Sequence, residues 1–150
     1  MSNIVWKIKS FEELTTSELY EIIKARVDVF VVEQNCPYPD LDKYDQKALH
    51  LWAEQEDQTV LAYCRIFDIG IKYNETSIGR VLTSANGRGK NLGKQLIQYA
   101  VETIENRFKT SEVRISAQDY LLRFYSGFGF KETDKRYLED NIPHTEMFRS

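Results

Sequence analysis

A chain of 150 residues that is 42% apolar and 13% aromatic, with only three prolines, has the size of one ordered domain (1–150), which excludes a disordered or fibrous protein. Its net charge of −3, with both signs interspersed, excludes global attraction to nucleic acid or to an anionic membrane. The longest purely apolar run, Val60–Cys64, is too short to span a bilayer, and MSNIVWKIKS lacks the apolar centre of a secretory signal, so a cytoplasmic location is expected.

In chain order, Ile4, Trp6 and Ile8 alternate and predict a strand over 4–9. Thr15 and Glu18 form a capping-box pattern ahead of a helix whose apolar face is Leu19, Ile22, Ile23, Val27 and Phe30. Residues 33–48 are polar and irregular. Their acids Asp40, Asp42 and Asp45 read as a solvated loop, with attraction of a cationic amine as the functional alternative; the EF-hand spacing needed for calcium is absent. Strands follow at 49–55, 59–68 and 76–83, the second of them apolar on both faces and so expected at the centre of a sheet. Cys36 and Cys64 lack metal-ligand spacing and read as plain thiols, and no metal is expected.

The stretch VLTSANGRGKNLGK (81–94) is a strand end running into a glycine-rich turn and a helix over 91–108 with the stripe Leu92, Leu96, Ala100, Val101, Ile104 and Phe108. Glycine lets backbone approach a ligand closely, and the free N–H groups of a first helical turn, beside Arg88, Lys90 and Lys94, suit a phosphate or pyrophosphate. A surface turn with solvated lysines explains the same residues without a ligand. A strand at 112–118, a short helix at 119–127 ending on Gly127, and strands at 128–134 and 144–149 complete the chain. The strand–helix–strand crossover predicts one parallel strand pair in a mixed, mostly antiparallel α/β sheet with helices on both faces, and ligands beyond the carboxyl ends of the parallel strands.

Arg88-Gly89-Lys90-Asn91-Leu92-Gly93, followed by a helix, a strand and Phe124-Tyr125-Ser126-Gly127-Phe128-Gly129-Phe130, resembles the GNAT superfamily of acyl-CoA-dependent N-acetyltransferases. The segments 29–45, 50–53, 79–83, 115–130 and 137–147 resemble its ElaA-type subgroup. Asn91 stands where the family's turn has glycine; asparagine tolerates positive φ better than other side chains. The resemblance implies a GNAT-like fold, acetyl-CoA as acyl donor and an amine as acceptor. It implies that Val81, Leu82 and Thr83 pair with the pantetheine arm. It further implies that Arg88, Gly89, Lys90, Asn91, Leu92, Gly93 and Lys94 hold the pyrophosphate, and that Gln118 replaces a family asparagine. Tyr125 falls at the general-acid position, where on spacing alone it reads as a core aromatic. It also places His144 at the substrate end, where the residue alone reads as structural. For the base, Glu33 and His50 are the candidates, against an exposed loop acid and a hydrogen-bonded core histidine respectively. Two other readings remain: an acyltransferase resembling acyl-homoserine-lactone synthases, suggested by Arg26–Phe30 and the acidic loop, and a non-catalytic acyl-CoA sensor.

Overall fold

The computed structural model describes residues 3–150; Met1 and Ser2, the start of the stretch read for a signal, lie outside it. The elements are β1 (Val5–Ser10), α1 (Thr16–Arg26), β2 (Leu49–Glu54), β3 (Val60–Phe67), β4 (Ser77–Thr83), α2 (Leu92–Thr103), β5 (Val113–Gln118), α3 (Leu122–Ser126), β6 (Lys131–Glu139) and β7 (Ile142–Arg149). β1-β2-β3-β4 form one antiparallel sheet and β5-β7-β6 another. The expected parallel pair is present as a single bridge: Thr76 pairs with Val113, and the Arg114 N–H donates to the Thr76 carbonyl at 2.9 Å. The Thr76 hydroxyl donates to the Glu112 carbonyl at 2.6 Å. Beyond this clasp β4 and β5 no longer pair, so the sheet is split along the line of the crossover.

Each face of the first sheet is covered by a helix. α2 lays Leu96, Ile97, Ala100 and Val101 against Leu51, Ala62, Cys64 and Ile66, a core that continues into Val113, Ile115 and Ala117 of β5. α1 and its π-helical extension (Val27–Glu33) lay Ile22, Ala25, Val29 and Phe30 against Trp52, Tyr63 and Leu82. The capping box forms as expected, with Thr15 Oγ1 accepting from the Glu18 N–H at 3.1 Å and the Thr15 N–H donating to Glu18 Oε1 at 2.9 Å. The buried stripe differs from the predicted one: Val27 is exposed, whereas Ala25 and Arg26 face inward. A charged residue on the inner face defeats an apolar-stripe reading, and Arg26 is there because carboxylates await it.

Two further differences have local causes. The acids at 40 and 45 are buried, not solvated, because arginines from α1, β3 and β4 converge on them. The closing hairpin runs 131–139 and 142–149, with Asp140 and Asn141 at φ 49° and 66°. A two-residue turn with both φ values positive matches the twist of a hairpin and accepts Asp and Asn. Among the described residues no helix is long and apolar enough to cross a membrane.

Candidate active site

A cavity lies where β4 and β5 separate. Val81 of β4, Gln118 of β5 and Tyr125 of α3 all border it. On β4 the register against β3 passes from Gly79–Arg65 to Leu82–Tyr63, so Arg80 and Val81 together oppose Cys64. That is a bulge, and Arg80 adopts φ 50° within it. A bulge re-aims the backbone beside a site. Here it turns the strand at Val81, on the cavity wall.

Tyr125 is 5% exposed and packs edge-on against Phe124 and Phe130, so the sequence alternative of a core aromatic describes its ring. Its hydroxyl makes no hydrogen bond to the described residues, and the residue borders the cavity. Burial pushes its phenol well above the ordinary value, so it stays protonated at neutral pH. Gln118 reaches Gln34 at 3.5 Å along the same wall.

The glycine-rich turn follows β4. Gly87 is required by packing: a Cβ there would sit 2.3 Å from the Leu61 carbonyl oxygen of β3. Gly89 has φ 78° and Asn91 φ 61°, the left-handed conformation for which glycine and asparagine are suited. The Asn91 departure from the family pattern therefore preserves the backbone shape. Leu92 is buried in the core and anchors the helix start, while Arg88, Lys90 and Lys94 are exposed. The first helical bond runs from the Gln95 N–H to the Asn91 carbonyl, leaving the amides of Leu92, Gly93 and Lys94 in the first turn ahead of it. Gly93 lies beside Thr83 and Phe124, and Leu82 turns its side chain into the α1-side core. The turn thus packs back on the end of β4, two residues beyond the cavity-lining Val81.

The two residues expected to act as base are placed differently. Glu33 ends the π-helical extension and gives both carboxylate oxygens to Arg88, at 2.5 and 3.3 Å; Arg88 also donates to the Thr83 carbonyl at 3.1 Å. Glu33 is therefore tied to the glycine-rich turn and is not part of the cavity wall. His50 is 0% exposed and likewise lies outside that wall. Its Nε2 lies 2.9 Å from the Asp45 carbonyl, which can only accept, so Nε2 carries the proton and Nδ1 accepts from the Tyr63 hydroxyl at 2.7 Å. Burial, with Arg26 and Arg65 nearby, pushes its pKa down. A sealed, neutral imidazole with both nitrogens occupied has no lone pair to offer a substrate. This corrects the expectation of a catalytic His50.

Other groups around the cavity were not singled out in the sequence. Arg65 and Arg80 border it from the first sheet and belong to a buried network. Arg26 bonds Asp40 and Asp45 at 2.8 and 2.7 Å, Arg65 bonds Asp42 and Asp45 at 2.5 and 2.9 Å, and Arg80 bonds Asp40 at 2.9 Å. Burial pushes the Asp42 carboxyl up, but the Arg65 hydrogen bond and charge outweigh it and hold the group well below the carboxylate range. Arg65 Nε is a buried polar atom without a partner. Cys36 also borders the cavity, its thiol 3.4 Å from the Asp140 carbonyl, and both cysteines are free. His144, which the family resemblance puts at the substrate end and which alone reads as structural, lies on the cavity wall as well. No sequence spacing signals these groups, because each pairing joins segments far apart in the chain. Among the described residues no cluster of three or more His, Cys, Asp or Glu is arranged to hold a metal ion.

Comparison with known proteins agrees with this geometry. A family model described as an acetyltransferase (GNAT) domain matches residues 18–149. Protein ElaA of Escherichia coli is 38% identical over 148 residues, covering 97% of this chain and 96% of that protein. The crystal structure of an acyl-CoA N-acyltransferase from Pseudomonas aeruginosa matches with a TM-score of 0.92 at 39% identity, over 99% of this chain and 100% of that one. A CoA-dependent acyl-homoserine lactone synthase matches with a TM-score of 0.77 at 18% identity, over 97% and 82% of the two chains, a likeness of fold alone.

Proposed function

Because this chain belongs to the GNAT acetyltransferase family, we propose that it transfers an acetyl group from acetyl-CoA to a primary amine of a small molecule or a protein. The observation that carries the reading is the cavity between β4 and β5, bordered by Val81 and Tyr125, on the strand whose end leads into the Gly87–Lys94 turn. The chain's residues suit that donor. The positive φ at Gly89 and Asn91, the first-turn amides and the exposed Arg88 and Lys94 form a cationic, donor-rich cradle for a diphosphate.

Acetyl-CoA supplies an acyl carbonyl bonded to a sulfur that can leave. The strand end at Val81–Thr83 would hold the pantetheine arm, and a backbone N–H of the bulged Val81 region would supply the hydrogen bond that polarises the acyl oxygen. Tyr125 holds the proton that the departing sulfur needs. An ordinary phenol of pKa about 10 is a weak acid toward a thiol of pKa about 8.5, but a cavity that raises the phenol also raises a thiolate placed in it. Glu33 positions Arg88, and His50 supports the wall behind the acidic loop.

Calorimetric titration with acetyl-CoA and desulfo-CoA, run beside thiol release against a panel of amines, tests the reading. Binding with amine-dependent release is expected. Binding without release by any amine would favour a sensor, and absence of binding would remove the assignment. Tyr125→Phe is expected to bind acetyl-CoA normally and lose about 100-fold in kcat. Wild-type kcat in that variant would eliminate Tyr125 as the acid.

A further inference from the structure

The chain has two histidines, and with His50 sealed, His144 is the imidazole that meets the cavity. It sits on β7, the central strand of the second sheet, with Gln118 of β5 opposite it on one side and Tyr137 of β6 on the other. Its ring is held from three directions. Nδ1 lies 2.7 Å from the Ile142 carbonyl, the ring stacks on Tyr137 at 6.0 Å and 16°, and Nε2 lies 3.4 Å from Glu139 Oε2. The Tyr137 hydroxyl in turn donates to Ser116 Oγ, fixing the stacking partner.

A carbonyl oxygen only accepts, so Nδ1 carries the proton of the neutral ring and Nε2 keeps a lone pair. This is the reverse of His50, whose Nε2 is spent on a carbonyl. The backbone acceptor on Nδ1 fixes the tautomer, and the Glu139 carboxylate holds the ring at its other edge. A rigid strand position, one fixed tautomer and a neighbouring carboxylate are what a proton acceptor requires.

We propose that His144 Nε2 is the general base of the acyl transfer, with Glu139 as its positioning residue; the inference rests on the acyltransferase reading above. The neutral amine nitrogen forms the C–N bond to the acyl carbon and passes one proton to His144 Nε2. The C–S bond breaks with its electron pair on sulfur, and Tyr125 protonates the sulfur. Amine and thioester become amide and thiol, and the proton on His144 returns to the Tyr125 phenolate through solvent. Glu33 is then free to serve the turn that holds the diphosphate.

The test uses the full chain with acetyl-CoA and ethylamine, a minimal acceptor, reading thiol release and acetyl-CoA affinity separately. His144→Gln is expected to lower kcat by about 100-fold or more while acetyl-CoA affinity stays unchanged. Added imidazole should restore part of the turnover of His144→Ala, which a structural role would not permit, and Glu139→Gln should lower kcat by less than His144→Gln. Wild-type kcat in His144→Gln, or a folded His144→Ala that imidazole does not rescue, overturns the proposal. Should both variants fail to fold, ring-nitrogen NMR of the wild-type protein decides: a proton on Nδ1 with bare Nε2 is expected, and a proton fixed on Nε2 instead overturns it. A wild-type protein that binds acetyl-CoA but releases no thiol with ethylamine or any other amine overturns the acyltransferase reading itself, and this inference with it.

Discussion

Arginine–carboxylate pairs occur in two regions of this molecule with opposite consequences. On the α1 side of the first sheet, Arg26, Arg65 and Arg80 interlock with Asp40, Asp42 and Asp45, and both Arg26 and Arg65 are essentially out of solvent. At the start of α2, Arg88 and Glu33 form one pair with side chains 49% and 37% exposed. The buried network cannot exchange partners, because any member that lost its counter-ion would be left charged in a low-dielectric interior. The exposed pair can exchange at small cost, because water replaces whichever partner leaves. The same chemistry thus serves as a rivet in one place and as an interchangeable contact in the other, beside the cradle where an anion is expected.

The contrast can be broken most forcefully at the centre of the network. Asp45→Asn leaves Arg26 and Arg65 short of charge, and a loss of about 3–5 kcal/mol is expected, read as a lower midpoint in urea unfolding. A loss comparable to that of a surface variant would show the network to be solvent-screened after all. Acid should erode the same region. Asp42 and Asp45 are held below the ordinary aspartate value of about 3.9, so their contribution is complete above that value and is lost as pH falls through it toward the folded-state pKa. Unfolding midpoints measured at stepwise lower pH should therefore decline below about pH 4, and Asp45→Asn should flatten the decline. Beneath the exposed pair, at the buried Gly87, Gly87→Ala presses a methyl group on the Leu61 carbonyl and should cost about 1–3 kcal/mol and weaken acetyl-CoA binding together. The smallest effect belongs to Glu33→Gln. Stability should change by less than about 0.5 kcal/mol, while acetyl-CoA binds somewhat tighter by calorimetry because Arg88 has lost its competitor. A fall in kcat without a change in affinity would instead return Glu33 to the role of base.

What could be read from the sequence was what local rules govern. The capping box at Thr15, the central position of β3, and the positive φ of Asn91 all follow from neighbours within a few residues, and all are found. The acidic segment misled because its partners lie 14 to 40 residues away in the chain, and a carboxylate's environment is a property of the packed state. Arg65 in the middle of an otherwise apolar strand was the available clue, since a buried arginine in a central strand demands acids from elsewhere. His50 and His144 show the limit in the clearest form. Both sit on strands, and what separates them is set by the packed state: His50 is buried with a carbonyl on Nε2 and Tyr63 on Nδ1, whereas His144 borders the cavity with its carbonyl on Nδ1. The closing hairpin differs from the expected strands at 128–134 and 144–149 because the two-residue turn at Asp140-Asn141 carries the pairing through Glu139 and Ile142.

The clasp between Thr76 and Val113 makes the site a measuring device. It fixes the closed end of a wedge whose open end lies at Thr83, where Arg88 docks on the strand's last carbonyl. Seven residues of extended chain separate the two, roughly 23 Å at the usual rise of a strand. Its length is written into the number of residues in β4 and cannot be altered without unlacing the two sheets, whereas Gln34, Cys36 and Tyr38 border it from a loop outside that clasp. Under the proposed reading, substitutions in the loops would retune which acceptor enters, while the reach available to a donor along the strand would stay constant.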